Sequence, residues 1–418
     1  MFIKKPFLTS IMNMINTPDK KNEVDELTEI VGILFNKNMI DEVDDDASEP
    51  EDYYVLDQSI LETVNSLAQK KAKASKLLTV PTRPVPIDRD RSVAGLLAKM
   101  EGAGFGAKQL AEAHRIWLDM LDDNATIYLC GSGNLVTSGM RRLIAWVIKN
   151  RFVDVLVMNG NVLYQDIHEV LGRNHYQAHP SMSDDDLDAS DVMRIGDVLS
   201  SRDEYQEADE WVGSVINQLD VSRSYGVREF LGILGRELSE IANEDGILTA
   251  AFKSRVPVFC PDLTGSEIAI GIARAKFEKK IQISLDATTD TMEMMQIAQK
   301  SRNSGIITLG SCSSQAMVNI TELSSYITRG TPRGHKYAVN ISTDSSPLEI
   351  RTPSYLGSHT NVFGKLVKNA TTAYVPCDPS IALPMIITAL SQTAAKFMKG
   401  RKRPSFSFAG REMNIDVP

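Results

Sequence analysis

The chain reads as an α/β protein: a doubly wound, Rossmann-like parallel sheet behind an N-terminal extension. Three observations predict this. Short, continuously apolar and β-branched runs recur from residue 126 onward, as expected of strands buried on both faces. Helical stretches separate them, which is the alternation of a parallel sheet covered on each side. Small polar loops follow the runs, and sheets of this kind bind ligands at the C-terminal ends of their strands.

Taken in order, residues 1–85 form the extension. Val24–Phe35 has the spacing of a short amphipathic helix, and an acidic run follows: Asp41, Glu42, Asp44, Asp45, Asp46, Glu49, Glu51 and Asp52. Clustered carboxylates repel one another and resist packing, so a linker or arm is expected. Pro81, Pro84 and Pro86 mark an extended entry into the main domain, placed at 86–400. Its expected strands are Thr126–Cys130, Val153–Met158, Val256–Cys260, Ile281–Leu285, Ile306–Leu309, Tyr337–Ile341 and Ala373–Val375. Its expected helices are Leu110–Leu121, Gly139–Asn150, Val227–Asn243, Glu267–Phe277 and Thr291–Asn303. Between Tyr176 and Glu210 an insertion carrying Asp184, Asp185, Asp186 and Asp188 interrupts the alternation. Residues 401–418, opening on Arg401-Lys402-Arg403, read as a basic tail.

Composition narrows the function. At 418 residues and 43% hydrophobic, the chain can bury a large core. A net charge of −9 argues against a nucleic-acid backbone as partner. The four cysteines (Cys130, Cys260, Cys312, Cys377) follow no metal spacing and fit a reducing, cytoplasmic setting. No run approaches the roughly 20 apolar residues of a membrane span, and Met1-Phe2-Ile3-Lys4-Lys5 lacks the apolar core of a signal peptide. His175 and His179 flank a polar segment with no helical face, so no metal site is expected.

Six strand-end loops could carry chemistry. The first, Gly131-Ser132-Gly133-Asn134-Leu135-Val136-Thr137-Ser138-Gly139, has the glycines for a tight turn and a helix start that suits a phosphate. The third glycine of the dinucleotide fingerprint would fall at Val136, so the strict pattern is not met, and an ordinary strand–helix turn stays open. The others are Asn159-Gly160-Asn161, Pro261 to Ser266, Gly310-Ser311-Cys312-Ser313-Ser314, Ser342-Thr343-Asp344-Ser345-Ser346, and Pro376-Cys377-Asp378-Pro379-Ser380. Each alone is also plain turn chemistry. Lys365 follows Phe363-Gly364 and precedes an apolar strand. Held by rigid neighbours, a lysine loses its proton and attacks an imine or carbonyl carbon; the plain alternative is a surface lysine.

Together these segments resemble the deoxyhypusine synthase family, from about Leu96 to Lys396. The marks are Gly133-Asn134-Leu135-Val136-Thr137-Ser138-Gly139-Met140-Arg141, Val153-Asp154-Val155-Leu156-Val157, Arg194-Ile195-Gly196-Asp197, Val256 to Pro261, Leu263-Thr264-Gly265-Ser266, Tyr337-Ala338-Val339-Asn340-Ile341 and Phe363-Gly364-Lys365. The resemblance implies a tetramer with NAD at subunit interfaces. It implies a reaction in which NAD takes a hydride from spermidine, a lysine carries the aminobutyl group as an imine, and a lysine of the hypusine-bearing translation factor receives it.

Transferred residue by residue, Lys365 falls on the carrier lysine. Gly133, Asn134, Leu135, Val136, Thr137, Asn159, Gly160, Asn161, Ser311, Thr343, Asp378 and Pro379 fall on the cofactor shell. The substrate side departs from the family. The proton-accepting histidine is Ala316, and the carboxylate after the second strand is Gln165. The aspartate after Leu263-Thr264 is missing, and a further one falls near Ala269. A glycine-serine-aspartate stretch is replaced by Leu348 to Ser354; a tryptophan is Phe363, and a glutamate falls near His359. The expectation is therefore a noncatalytic, prozyme-like subunit that activates a catalytic paralogue in a hetero-oligomer, a tetramer by the family pattern. Two alternatives stay open. One is an enzyme with an altered amine site, in which His359 or Glu349 stands in for lost groups. The other is a scaffold without cofactor, in which Lys365 is structural. The acidic arm reads as a disordered leader, or as a cover for the site entrance.

Overall fold

The computed structural model describes residues 2–4, 53–55, 77–310, 313–329, 334–343, 366–409 and 412–417. The chain divides into two units, Met1–Thr82 and Arg83–Pro418. In the first, Phe2–Lys4 pairs antiparallel with Tyr53–Val55. The helix expected over 24–35 and the acidic run lie outside the described residues.

The second unit is built on a six-stranded parallel sheet. Its strands are β1 (Thr126–Gly131), β2 (Val155–Met158), β3 (Val258–Phe259), β4 (Ser304–Leu309), β5 (His335–Ile341) and β6 (Leu366–Val375). They lie in the order β6-β5-β4-β1-β2-β3, and every neighbouring pair is parallel. The order reverses between β1 and β4, which is the switch point where a doubly wound sheet opens a crevice. Both faces are buried: Ile127 and Leu129 enter one apolar cluster, while Tyr128 and Cys130 enter a second. That is why these strands read as unbroken apolar runs rather than alternating ones.

Helices connect and cover the strands. α1 is Arg141–Lys149, α2 Gly160–Val170, α3 Arg202–Ile216, α4 Glu267–Lys279, α5 Ser313–Arg329 and α6 Pro379–Thr393. Asn159 caps α2 by accepting from Val162 N–H, and Asp378 caps α6 by accepting from Ser380 N–H. No described helix is long and apolar enough to cross a membrane.

Two expectations change. Ile281–Leu285 does not join the main sheet; Ser284–Asp286 pairs in parallel with Ser224–Gly226 as a separate two-stranded ladder. The acidic insertion lies outside the main sheet, as expected: Tyr176–Gln177, Val192–Ile195 and Val198–Ser201 form an antiparallel sheet of their own. Asp184, Asp185 and Asp186 fill the first turn of a short helix capped by Ser183, where negative charge complements the helix dipole. Residues 401–418, expected as a basic tail, carry an antiparallel hairpin, Ser405–Ala409 with Glu412–Asp416. Phe406, Met413 and Ile415 of that hairpin are buried in the second core cluster. Arg401, in the run expected to be solvated, is buried against an equally buried Asp154, with Nη2 2.7 Å from Oδ2.

Candidate functional site at the strand ends

The C-terminal ends of the strands meet at the switch point. Ser132 N–H donates to Leu309 O, Gly310 N–H to Ile341 O, and Asn159 N–H to Gly131 O, so the loops after β1, β2 and β4 are tied edge to edge. Two glycines let them approach closely. A Cβ on Gly131 would lie 2.5 Å from Met158 Sδ, and one on Gly160 would lie 2.3 Å from Ser266 Oγ.

The turn after β1 suits a phosphate. Gly133 has φ +77°, and a Cβ there would meet open space. The chain then coils: Ser138 N–H donates to Asn134 O, and Met140 N–H to Leu135 O. Among the described residues no hydrogen bond uses the N–H groups of Asn134, Leu135 or Val136. Free N–H groups at the start of a coiled turn form an anion cradle. Deeper in, Thr308 Oγ1 and Asn340 Oδ1 face each other across β4 and β5, buried and without a hydrogen-bond partner. Unsatisfied groups of this kind in a sheet end call for a ligand or water.

The expected residues separate by role. Gly133 and Asn134 are exposed at the crevice, and Thr343 is exposed after β5. Leu135 and Val136 bury their side chains in the core, so only their backbone can reach a ligand. Thr137 donates its hydroxyl to Asn134 O and braces the turn. Asn159 and Asp378 are helix caps, Gly160 is packed against Ser266, Asn161 is exposed, and Pro379 opens α6. On the amine side, Gln165 is buried with Oε1 unpartnered, and Ala316 is exposed in the first turn of α5. Ser311, His359, Phe363 and Lys365 lie outside the described residues.

One residue of the Pro261–Ser266 loop has no role of its own assigned from the sequence. Asp262, at the end of β3, accepts from Gly160 N–H (3.0 Å), from the Ser313 hydroxyl (3.1 Å) and from the Cys260 thiol (3.6 Å). It thus links three strand ends through one carboxylate. Burial, reinforced by that carboxylate, pushes the Cys260 thiol well above its usual range, which disfavours the thiolate. Among the described residues no group of three or more His, Cys, Asp or Glu could hold a metal. His175 is engaged by Glu169 (2.9 Å) and Tyr205 (3.2 Å) instead.

The strand order and the crevice define a doubly wound α/β protein with a ligand site at its switch point. A model of the deoxyhypusine synthase family matches residues 95–390. The chain belongs to that family. It is 34% identical over 342 residues to "Probable deoxyhypusine synthase 2" of Methanosarcina mazei, covering 79% of this chain and 95% of the relative. To "Probable deoxyhypusine synthase 1" of the same archaeon it is 28% identical over 324 residues, covering 77% and 98%. The fold is similar to a solved structure assigned as a deoxyhypusine synthase of Entamoeba histolytica: TM-score 0.52, 15% identity, 75% of this chain and 97% of that one.

Proposed function

We propose that this chain is a noncatalytic, activating subunit of a deoxyhypusine synthase. It would pair with a catalytic paralogue in a hetero-oligomer and act through it on the hypusine-bearing translation factor. The observation that carries this reading is Ala316, exposed one turn into α5, three residues from the Ser313 that bonds Asp262 in the crevice. A methyl group there cannot accept a proton, and proton acceptance is what the family position requires. Gln165 supports the same reading: a buried neutral amide stands where a carboxylate would hold an ammonium. Two relatives of one archaeon carry the numbers 1 and 2, which supports a reading with paralogous subunits.

The cofactor side is kept. The open turn at Gly133, the free N–H groups of Asn134–Val136 and the unpaired acceptors Thr308 and Asn340 fit a dinucleotide. NAD, when bound, supplies a hydride acceptor. The residues of this chain would hold its phosphates and brace the loops around it.

Co-expression with a deoxyhypusine synthase that carries the full histidine and carboxylate set tests the assembly. The expected result is a tagged complex containing both chains in equal amounts by native mass spectrometry. Two separate homo-oligomers would refute the proposal.

A further inference from the structure

A cavity of about 640 Å³ opens between α3 and α4. None of the strand-end loops lines it, so it is separate from the crevice. Its size lies within the usual range for small-ligand sites.

The floor is polar and short of donors. Tyr164, fully buried, sits 2.6 Å from Tyr205 O and 2.7 Å from Asp209 Oδ1 through its hydroxyl. A phenol has one proton, so it cannot satisfy both acceptors fully. Beside it, Glu267 Oε2 is wholly buried and has no hydrogen-bond partner. A buried carboxylate oxygen left in this state is destabilising unless a donor arrives.

The walls are apolar. Ile270 and Phe277 project from α4 and are 58% and 88% exposed, and Met193 faces them. The two arginines at the rim are already engaged. Arg202 pairs with Asp188 (2.7 Å), and Arg274 with Glu278 (2.8 Å) and Glu210 (3.2 Å). Cations supplied by the chain therefore leave Glu267 unpaired.

We propose that this cavity is a binding site for an alkyl-ammonium cation, its charged head on Glu267 and Asp209 and its methylenes against Ile270, Phe277 and Met193. The head supplies the N–H donors that the floor lacks. The chain meets apolar surface, and the aromatic face of Phe277 favours a cation over a neutral alcohol. The inference is independent of any reading of the crevice.

Calorimetric titration of the full-length chain with n-butylammonium chloride tests it, with n-butanol as the uncharged control. The expected result is saturable binding of one n-butylammonium per chain and none of n-butanol. Glu267→Gln should weaken binding at least tenfold while unfolding at the wild-type temperature or above, since it removes a buried unpaired charge. Asp209→Asn, whose amide oxygen still accepts from Tyr164, should weaken it as well. No binding to the wild type, equal binding of n-butanol, or undiminished binding to folded Glu267→Gln would each overturn the assignment.

Discussion

Incubated alone with NAD, spermidine and the hypusine-bearing translation factor, the purified chain is expected to form no deoxyhypusine above background. The family's carboxylate contacts to an ammonium are each worth roughly 1.5–3 kcal/mol. With three of them missing on the proposed reading, the lost binding is roughly 4.5–9 kcal/mol, or about three to seven powers of ten. On the proposed reading, in which Ala316 stands at the position of the family's base, about two to four more powers of ten are lost from the proton-transfer step. The same chain mixed with a catalytic paralogue should raise the paralogue's kcat, because subunits that share an interface order one another's loops. Adding a histidine alone, as Ala316→His, should not restore turnover, since the ammonium contacts are still missing. Product formation by the chain alone, at a rate comparable to the mixture, would refute the regulatory reading and favour an enzyme with an altered amine site.

Arg401→Ala is expected to destabilise the second unit by about 3–5 kcal/mol, the usual effect of stranding one member of a buried ion pair. The guanidinium does more than pair with Asp154. It also donates to Arg151 O (2.7 Å) and Ala125 O (3.0 Å), at the entries to β2 and β1. Asp154 in turn accepts from Ile127 N–H (2.9 Å) in β1. Losing Arg401 therefore leaves a buried carboxylate and two carbonyls without their donor. Urea unfolding should show a lower midpoint at unchanged slope. Arg403→Ala, on an exposed residue of the same basic run, should fall within about 0.5 kcal/mol of wild type. Equal midpoints for the two variants would mean that the C-terminal segment does not hold the sheet as described.

The sequence made the sheet legible because a strand buried on both faces is mainly apolar, as in Val155–Met158 of β2 and the Ile306-Ile307 stretch of β4. It did not reveal strand order, since pairing joins segments as distant as Thr126 and Ser304. α2 went unseen because Asn159-Gly160-Asn161 looks like a turn, whereas Asn159 is its cap. The proline within α6, Pro384, likewise hid a helix. Arg401 read as one of three solvated cations because its partner lies 247 residues away. Asp262 was hidden for the same reason, with Gly160 and Ser313 at separations of 102 and 51. Glycines and caps announce themselves locally; a carboxylate that joins three loops does not. The strand-end loops were legible as small polar segments, but the burial of Leu135 and Val136 in the core required the fold.

The account rests on a crevice that keeps its nucleotide side and has lost its amine side. Reduced nicotinamide, followed spectroscopically in a mixture of this chain, NAD and excess spermidine, tests that most directly, with unfolding stability recorded on the same sample. The account predicts that NAD at about 100 times its Kd stabilises the chain by about 2.7 kcal/mol, and that no reduced nicotinamide forms. Reduced nicotinamide in amounts stoichiometric with the chain, or no stabilisation by NAD, would contradict it.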